Sequence, residues 1–339
     1  VIGALYKIYG ENMLEKLNGM FSLAIYDKMK QQVFIARDRF GIKPLYFYND
    51  NNNFFFSSEL KVIVECFDEN LEIHDQSIAD YFSLGYIQTP NTIYKNIHQL
   101  SPAHWLKFSL KSYSVEKKRW WKPQFTKNRS ISNNDWPILI RKGLKDAVKR
   151  WGISDVPIAY LLSGGLDSSA IVTLAAQMSS TRLRTYTLGF NGAGEDNWNE
   201  LNIARDVAKK INSDHTEIIL EPNHLIDDIN LMMNHLDQPY GGGLPSWEIF
   251  KQISKNEKVV VNGTGADEIF GNYNRGNYLL NCLKQQKQAG LIKEVTFGHF
   301  VKHFKNRVSI YKEVDLENII ETEGISNIHN TAEWMFKLY

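Results

Sequence analysis

The sequence predicts a chain in two parts: an α+β part built on antiparallel strands, then an α/β part built on a doubly wound parallel sheet. Three observations carry that prediction. Short β-rich runs joined by turn residues fill positions 1–123. From 136 onward, apolar strands alternate with helical patterns, the texture of parallel βαβ units. Between them, 124–135 turns polar and reads as a linker. A chain of 339 residues is long enough for two such cores.

The elements follow in order. Val1 opens inside a helical pattern. Runs 20–26 and 32–37 flank a turn at 27–30, a hairpin by spacing. Runs 43–48 and 54–58 flank an Asn-rich turn at 49–53. Short helices are expected at 59–65 and 75–84. After the linker, a helix at 136–151 leads to a strand at 158–162 and a helix reaching about 179. A strand at 184–190 precedes a helix at 200–211, whose Leu201, Ala204, Val207, Ala208 and Ile211 share one face. A strand at 215–220, further helices and a strand at 258–262 complete the set. The chain ends inside an unterminated helical pattern at 331–339, so a fragment of a longer protein is expected.

The most informative segment is Ser163-Gly164-Gly165-Leu166-Asp167-Ser168-Ser169. It joins an apolar strand to a helix start. Backbone N–H groups converge at such a turn, the helix dipole adds positive potential, and glycines let a phosphate approach the main chain. No lysine follows in the G-x-x-x-x-G-K-[ST] spacing of the other common phosphate loop. Asp167 stands there instead. A carboxylate repels bare phosphate, so its presence implies a bridging divalent cation. Together these point to a nucleotide cleaved between its α and β phosphates, with magnesium pyrophosphate held in the loop. The simpler alternative is a turn capping a helix, with Asp167 favouring the dipole.

A second segment, Val261-Asn262-Gly263-Thr264-Gly265-Ala266-Asp267-Glu268, repeats the pattern of strand, glycine turn and acidic helix start. Gly263 and Gly265 have the spacing of a dinucleotide fingerprint, but Glu268 occupies the third glycine position. In an open α/β sheet, ligands sit beyond the carboxyl ends of the strands, where Ser163, Leu188 and Asn262 fall. Asp167 and Asp267 would then be a carboxylate pair able to share a magnesium ion. A plain turn before an N-terminally charged helix is the alternative for this motif alone.

Composition excludes several classes. A net charge of +1 gives no reason to invoke nucleic acid or an anionic membrane as partner. The basic run Lys117-Lys118-Arg119 before Trp120-Trp121 reads as a solvated strand end. No apolar stretch approaches the roughly 20 residues that span a bilayer, and no secretory signal opens the sequence. Two cysteines are too few for a disulfide framework, which with the rest gives a cytoplasmic expectation. Cys66 follows an apolar helix pattern and is expected in the core.

Beyond these motifs lies a longer ordered series. Arg37-Asp38-Arg39-Phe40-Gly41-Ile42-Lys43-Pro44-Leu45-Tyr46, Ser57-Ser58-Glu59-Leu60-Lys61 and Ser154-Asp155-Val156-Pro157 occur together with the Ser163–Ser169 loop. Over essentially its whole length the chain resembles the glutamine-hydrolysing asparagine synthetases. That resemblance implies the C-terminal part of an N-terminal-nucleophile αββα glutaminase domain at 1–123, a class II glutamine amidotransferase. It further implies an ATP-pyrophosphatase domain at 136–339, incomplete at its C-terminus. It implies ATP and Mg2+ as cofactors, with glutamine-derived ammonia and a carboxylate acceptor as small-molecule partners. A homodimer is compatible with it. By resemblance, Leu161 and Leu188 contact adenosine, with Asn262 and Gly263 nearby. Ser163, Gly164, Gly165, Asp167 and Ser168 hold phosphates and metal, and Asp267 joins Asp167 on the metal. Asp167, Asp267 and Thr264 are the catalytic candidates. Leu161 and Leu188 fit ordinary strand core equally well.

Three departures accompany the likeness. The family's glutaminase nucleophile is an N-terminal cysteine, whereas this sequence starts at Val1; as given, it is not expected to hydrolyse glutamine. Thr264 stands where the family usually has an acidic residue, and threonine cannot act as a base near neutral pH. Asp237-Gln238-Pro239-Tyr240-Gly241-Gly242-Gly243-Leu244-Pro245-Ser246 replaces a serine-rich acceptor-side segment. The expected reaction is ATP-dependent amidation through an acyl-adenylate, with aspartate the leading acceptor. Another acid, such as a uronic acid of a surface polysaccharide, and a nucleotide-binding protein without activity both stay open.

Overall fold

The computed structural model describes residues 1–270, apart from 51, 68–70, 125–129, 191–199 and 221, together with positions 284, 288 and 290. Cys282, the helical pattern at 331–339 and part of the expected linker lie outside the described residues. The described chain falls into two compact units. One comprises Val1–Phe125 with Met233–Gly242, and the other takes in Thr126–Met232 and residues from Gly243 onward.

In the first unit, α1 (Ile2–Tyr9) and a 3-10 turn (Gly10–Lys16) precede β1 (Ser22–Asp27), β2 (Gln32–Arg37), β3 (Tyr46–Asn49) and β4 (Phe54–Ser57). Then come α2 (Leu60–Val64), α3 (Asp75–Leu84), β5 (Ile97–Gln99), β6 (His104–Ser109) and β7 (Val115–Arg119). The strands form two antiparallel sheets, β1-β2-β6-β7 and β4-β3-β5. Alternation along each strand serves two cores at once. From β2, Phe34 and Ala36 join Tyr6, Met13, Leu14 and Trp105 on the α1 side. Ile35 points the other way, to Leu45, Phe47, Leu106 and Phe108 between the sheets. From β3, Tyr46 and Tyr48 pack beyond the second sheet against Leu60 and Ile63 of α2. The layers therefore run helix, sheet, sheet, helix.

Between β2 and β3, the Arg37–Tyr46 series is a structural hub. The buried Asp38 carboxylate accepts backbone N–H bonds from Phe21, Phe40, Ile42 and Lys43 at 3.0–3.2 Å. The buried Arg37 guanidinium donates to the carbonyls of Gly41, Lys43 and Leu100. Gly41 sits at φ +66, where a Cβ would meet Pro102 at 2.8 Å. Cys66 corrects the expectation of a core thiol: it is exposed. Helix α2 ends at Val64, with Leu60 and Ile63 already filling the inward positions, and Phe67 rather than Cys66 continues that packing.

The second unit contains α4 (Trp136–Trp151), β8 (Ile158–Leu161), α5 (Leu166–Met178), β9 (Arg184–Phe190), α6 (Leu201–Lys210), β10 (Asp214–Leu220), most of α7 (Pro222–His235), α8 (Leu244–Ile253), β11 (Val259–Val261) and α9 (Ala266–Phe270). Its sheet has the order β10-β9-β8-β11, and every pairing is parallel. One face carries Tyr160, Leu162, Val172 and Ala175 against Ala204 and Ala208 of α6. The other carries Ala159 and Tyr186 against Ile249 and Ile253 of α8. Helices on both faces make it doubly wound. The order runs outward from β8 through β9 to β10, then returns to place β11 on the other side of β8. In open parallel sheets such a reversal is where ligands bind, beyond the carboxyl ends of the strands, here those of β8 and β11. Among the described residues, no helix is long and apolar enough to cross a membrane.

Candidate active site

Both glycine turns open at that reversal. Strand β8 ends at Leu161, Leu162 is fully buried, and the chain leaves the sheet through Ser163. The Leu162 carbonyl is held by the Thr187 hydroxyl of β9, and its N–H donates to the Tyr186 carbonyl at 2.8 Å. This fixes the point at which the loop departs. Gly164 then takes φ +93, and Gly165 serves as N-cap residue of α5. Only glycine adopts the first conformation without strain. A Cβ on Gly164 would also lie 2.9 Å from the Glu200 carbonyl oxygen and 3.2 Å from the Ala204 nitrogen. The loop is thus pressed against the first turn of α6.

Serine hydroxyls occupy the loop's interior. Ser163 N–H donates to Ser168 Oγ at 3.2 Å, and Gly165 N–H donates to Ser163 Oγ at 3.3 Å. The two hydroxyls lie 3.0 Å apart, and Ser168 Oγ donates to the Gly165 carbonyl at 3.2 Å. Backbone donors are thus paired with neutral, rotatable oxygens, the partners an anion can most readily displace. Ser169 Oγ is buried without a hydrogen-bond partner. Asp167 stands half-buried in the first turn of α5, where the dipole favours its charge.

The second turn is in direct contact with the first. A Cβ on Gly263 would lie 3.0 Å from the Ser168 nitrogen, 3.2 Å from the Asp167 carbonyl carbon and 3.3 Å from Asp167 Cβ. Asn262 Oδ1 accepts the Thr264 N–H at 3.2 Å, Gly265 takes φ +106, and α9 begins with Asp267 in its first turn. Asn262 and Thr264 are exposed, and Asp267 is half-buried. Leu161 and Leu188 both pack, half-buried, against the α8-side core with Ile218 and Val260. They belong to the sheet's packing and also stand toward the carboxyl ends of β8 and β9.

The structure therefore brings together Leu161, Ser163, Gly164, Gly165, Asp167, Ser168, Leu188, Asn262, Gly263, Thr264 and Asp267 at one end of one sheet. Among the described residues, no group of three or more His, Cys, Asp or Glu side chains is placed to hold a metal. A pair of carboxylates fits Mg2+ all the same, because that ion keeps several waters and takes its remaining ligands from substrate phosphates. Sequence reasoning missed Glu200. It is exposed at the start of α6, its Oε2 lying 3.9 Å from the point a Gly165 Cβ would occupy. Only its contact with a loop 35 positions earlier reveals it, and nothing in the local pattern marks that contact.

Comparison with known proteins identifies two family models and a set of relatives. The asparagine synthase family model matches residues 139–335, and a glutamine amidotransferase domain model matches residues 1–121. A Methanocaldococcus jannaschii protein provisionally named glutamine-hydrolyzing asparagine synthetase 2 is 34% identical over 283 residues, covering 80% of this chain and 53% of that one. Glutamine-hydrolyzing asparagine synthetase 1 of Bacillus subtilis is 29% identical, over 81% of this chain and 43% of its own. The corresponding enzyme of Asparagus officinalis is 29% identical, over 80% of this chain and 43% of its own. The chain spans about half the length of the curated relatives it matches.

Proposed function

The chain belongs to the asparagine synthase family, and from that premise we propose that it is part of an ATP-dependent carbon–nitrogen ligase that amidates a carboxylate through an acyl-adenylate. The observation that carries the reading is the contact of Gly263 with the start of α5. It sets an anion-binding turn bearing Asp167 against a turn leading to Asp267, at the topological reversal of a parallel sheet.

We assign 1–123 to the later part of an αββα glutamine amidotransferase domain and 124–135 to a linker. Residues 136–339 belong to an ATP-pyrophosphatase domain. In the complete protein the first domain supplies ammonia from glutamine. Asp167 and Asp267 would hold Mg2+, which when bound would neutralise charge on the departing pyrophosphate. The loop N–H groups of 163–169, with the Ser163 and Ser168 hydroxyls, bind the pyrophosphate portion of ATP. Leu161 and Leu188 border adenosine, and Asn262 and Gly263 shape the wall beside it.

The chemistry explains why such a loop is needed. A carboxylate is a poor electrophile because oxide is a poor leaving group. Carboxylate oxygen attacks the α-phosphorus, pyrophosphate departs, and AMP becomes the leaving group when ammonia attacks the acyl carbon. One carboxylate oxygen leaves with AMP. The site's residues contribute by positioning the reactants and by stabilising charge on departing pyrophosphate.

The leading acceptor is aspartate. Thr264 favours a second reading, an acid other than aspartate, because the position lacks the carboxylate that the family usually carries there and lies exposed beside the loop. The test uses 18O-labelled carboxylates with the full-length protein, ammonia and Mg-ATP. Label recovered in AMP with labelled aspartate supports the first acceptor, and label from only another acid supports the second. Label in AMP from no acid overturns the acyl-adenylate assignment. Asp167→Asn is expected to abolish transfer while leaving the circular dichroism spectrum unchanged.

A further inference from the structure

Beside the loop stands a charged side chain that the proposed mechanism leaves unused, that of Glu200. Glu200 is the N-cap residue of α6, and its carbonyl accepts the Ala204 N–H at 3.0 Å, so its backbone is fixed by the helix it starts. That backbone packs on Gly164, with the Glu200 Cβ only 3.1 Å from where a Gly164 Cβ would stand. The side chain then turns toward the loop mouth, bringing Oε2 to 3.9 Å from the would-be Gly165 Cβ, itself 3.4 Å from Ser163 Oγ. An exposed carboxylate is thereby held beside the turn whose N–H groups pair with the Ser163 and Ser168 hydroxyls.

Resting on the nucleotide reading above, we infer that Glu200 is a positioning residue that makes nucleotide binding depend on the divalent cation. The Glu200 charge repels metal-free triphosphate at the loop mouth. Mg2+ reverses the sign of that contact, because its hydration shell offers water donors to a carboxylate outside the direct ligand set. Asp167 and Asp267 are assigned to the ion itself, and Glu200 acts on the hydrated complex at the entrance. Glu200 forms no three-carboxylate cage with them, in keeping with the absence of one among the described residues.

The experiment measures binding, not turnover. The affinity of the full-length protein for ATP is titrated calorimetrically in EDTA and at graded Mg2+ concentrations, for wild type, Glu200→Gln, Glu200→Asp and Asp206→Asn. The glutamine keeps the shape and backbone contacts of Glu200 and removes only its charge. Asp206 is an exposed acid on the same helix and controls for net charge. Glu200→Gln is expected to tighten metal-free ATP binding and to raise the half-saturating Mg2+ concentration. Each change is expected to be about three- to tenfold, the size of a single-charge interaction in partly screened surroundings. Glu200→Asp is expected to restore most of the metal dependence, and Asp206→Asn to behave as wild type. An unchanged ratio of metal-free to metal-bound affinity in Glu200→Gln, with wild type still binding Mg-ATP, overturns the role of Glu200 alone. Wild type that binds no Mg-ATP overturns the nucleotide reading itself.

Discussion

Gly164 and Gly263 each allow a close approach at the Ser163–Ser169 loop, one to the start of α6 and the other to the start of α5, for different physical reasons. At φ +93, Gly164 sits in the left-handed region, so alanine there carries backbone strain in addition to a clash with the Glu200 carbonyl. Gly164→Ala is expected to lower stability by about 1–3 kcal/mol, measured by urea unfolding. Gly263 has no such strain; its constraint is the 3.0 Å approach to the Ser168 nitrogen. Gly263→Ala is therefore expected to change stability by about 1 kcal/mol or less while weakening Mg-ATP binding at least tenfold. Equal losses of stability and binding would contradict that distinction. Both glycines were legible in the sequence, since a turn between strand and helix demands them. The partner of Gly164 was not, because Glu200 reaches it only through the packing of α6 on the loop. Cys66 was misread for a related reason: the inward positions beside it are filled by Leu60, Ile63 and Phe67, a division that only the packing reveals.

At the scale of elements, the long periodic segments were the legible ones. Helices α3 and α4 and strands β2 and β9 begin and end where their patterns do. Strands β5 and β6 were not individually evident, and of β7 only its solvated end at Lys117-Lys118-Arg119 was. Residues Val115–Arg119 are mostly charged, and their strand identity comes from pairing with β6 instead of from their own propensity. Exposed Lys117 and Lys118 also suit a sheet edge, where charge discourages pairing with another chain. Helix α8 shows how an element supports the site. Its Ile253 is 1% exposed and shares a core with Leu161 and Leu188. Ile253→Ala is expected to cost about 2–5 kcal/mol of stability, read from denaturant midpoints, because removal of buried methyl groups leaves a cavity. Asp38→Asn is expected to cost about 2–3 kcal/mol in the first unit, since four N–H donors converge on that carboxylate.

For the molecule as a whole, pH dependence is set in part by half-buried histidines. Burial holds His98 and His104 of the first unit and His215 of the second below the usual imidazole value. For each, the unfolded chain takes up a proton more readily than the folded one. Their contribution to stability is complete above the unfolded value of about 6.5 and is lost as pH falls through it toward the lower folded value. Melting temperature is expected to drop between pH 7.5 and pH 5.5, and His215→Gln is expected to shrink the drop in the second unit's transition. A melting temperature that rises on acidification would contradict this sign.

The two-part organisation follows from chain-wide texture, and the proposed chemistry rests on two short turns that the sheet brings into contact. The most direct test of that chemistry is exchange of labelled pyrophosphate into ATP by the full-length protein, with Mg2+ and a panel of carboxylic acids including aspartate. The expected result is exchange that requires both Mg2+ and an acid, and that disappears in Asp167→Asn. ATP cleaved to ADP and phosphate, or no exchange with any acid despite bound Mg-ATP, would contradict it.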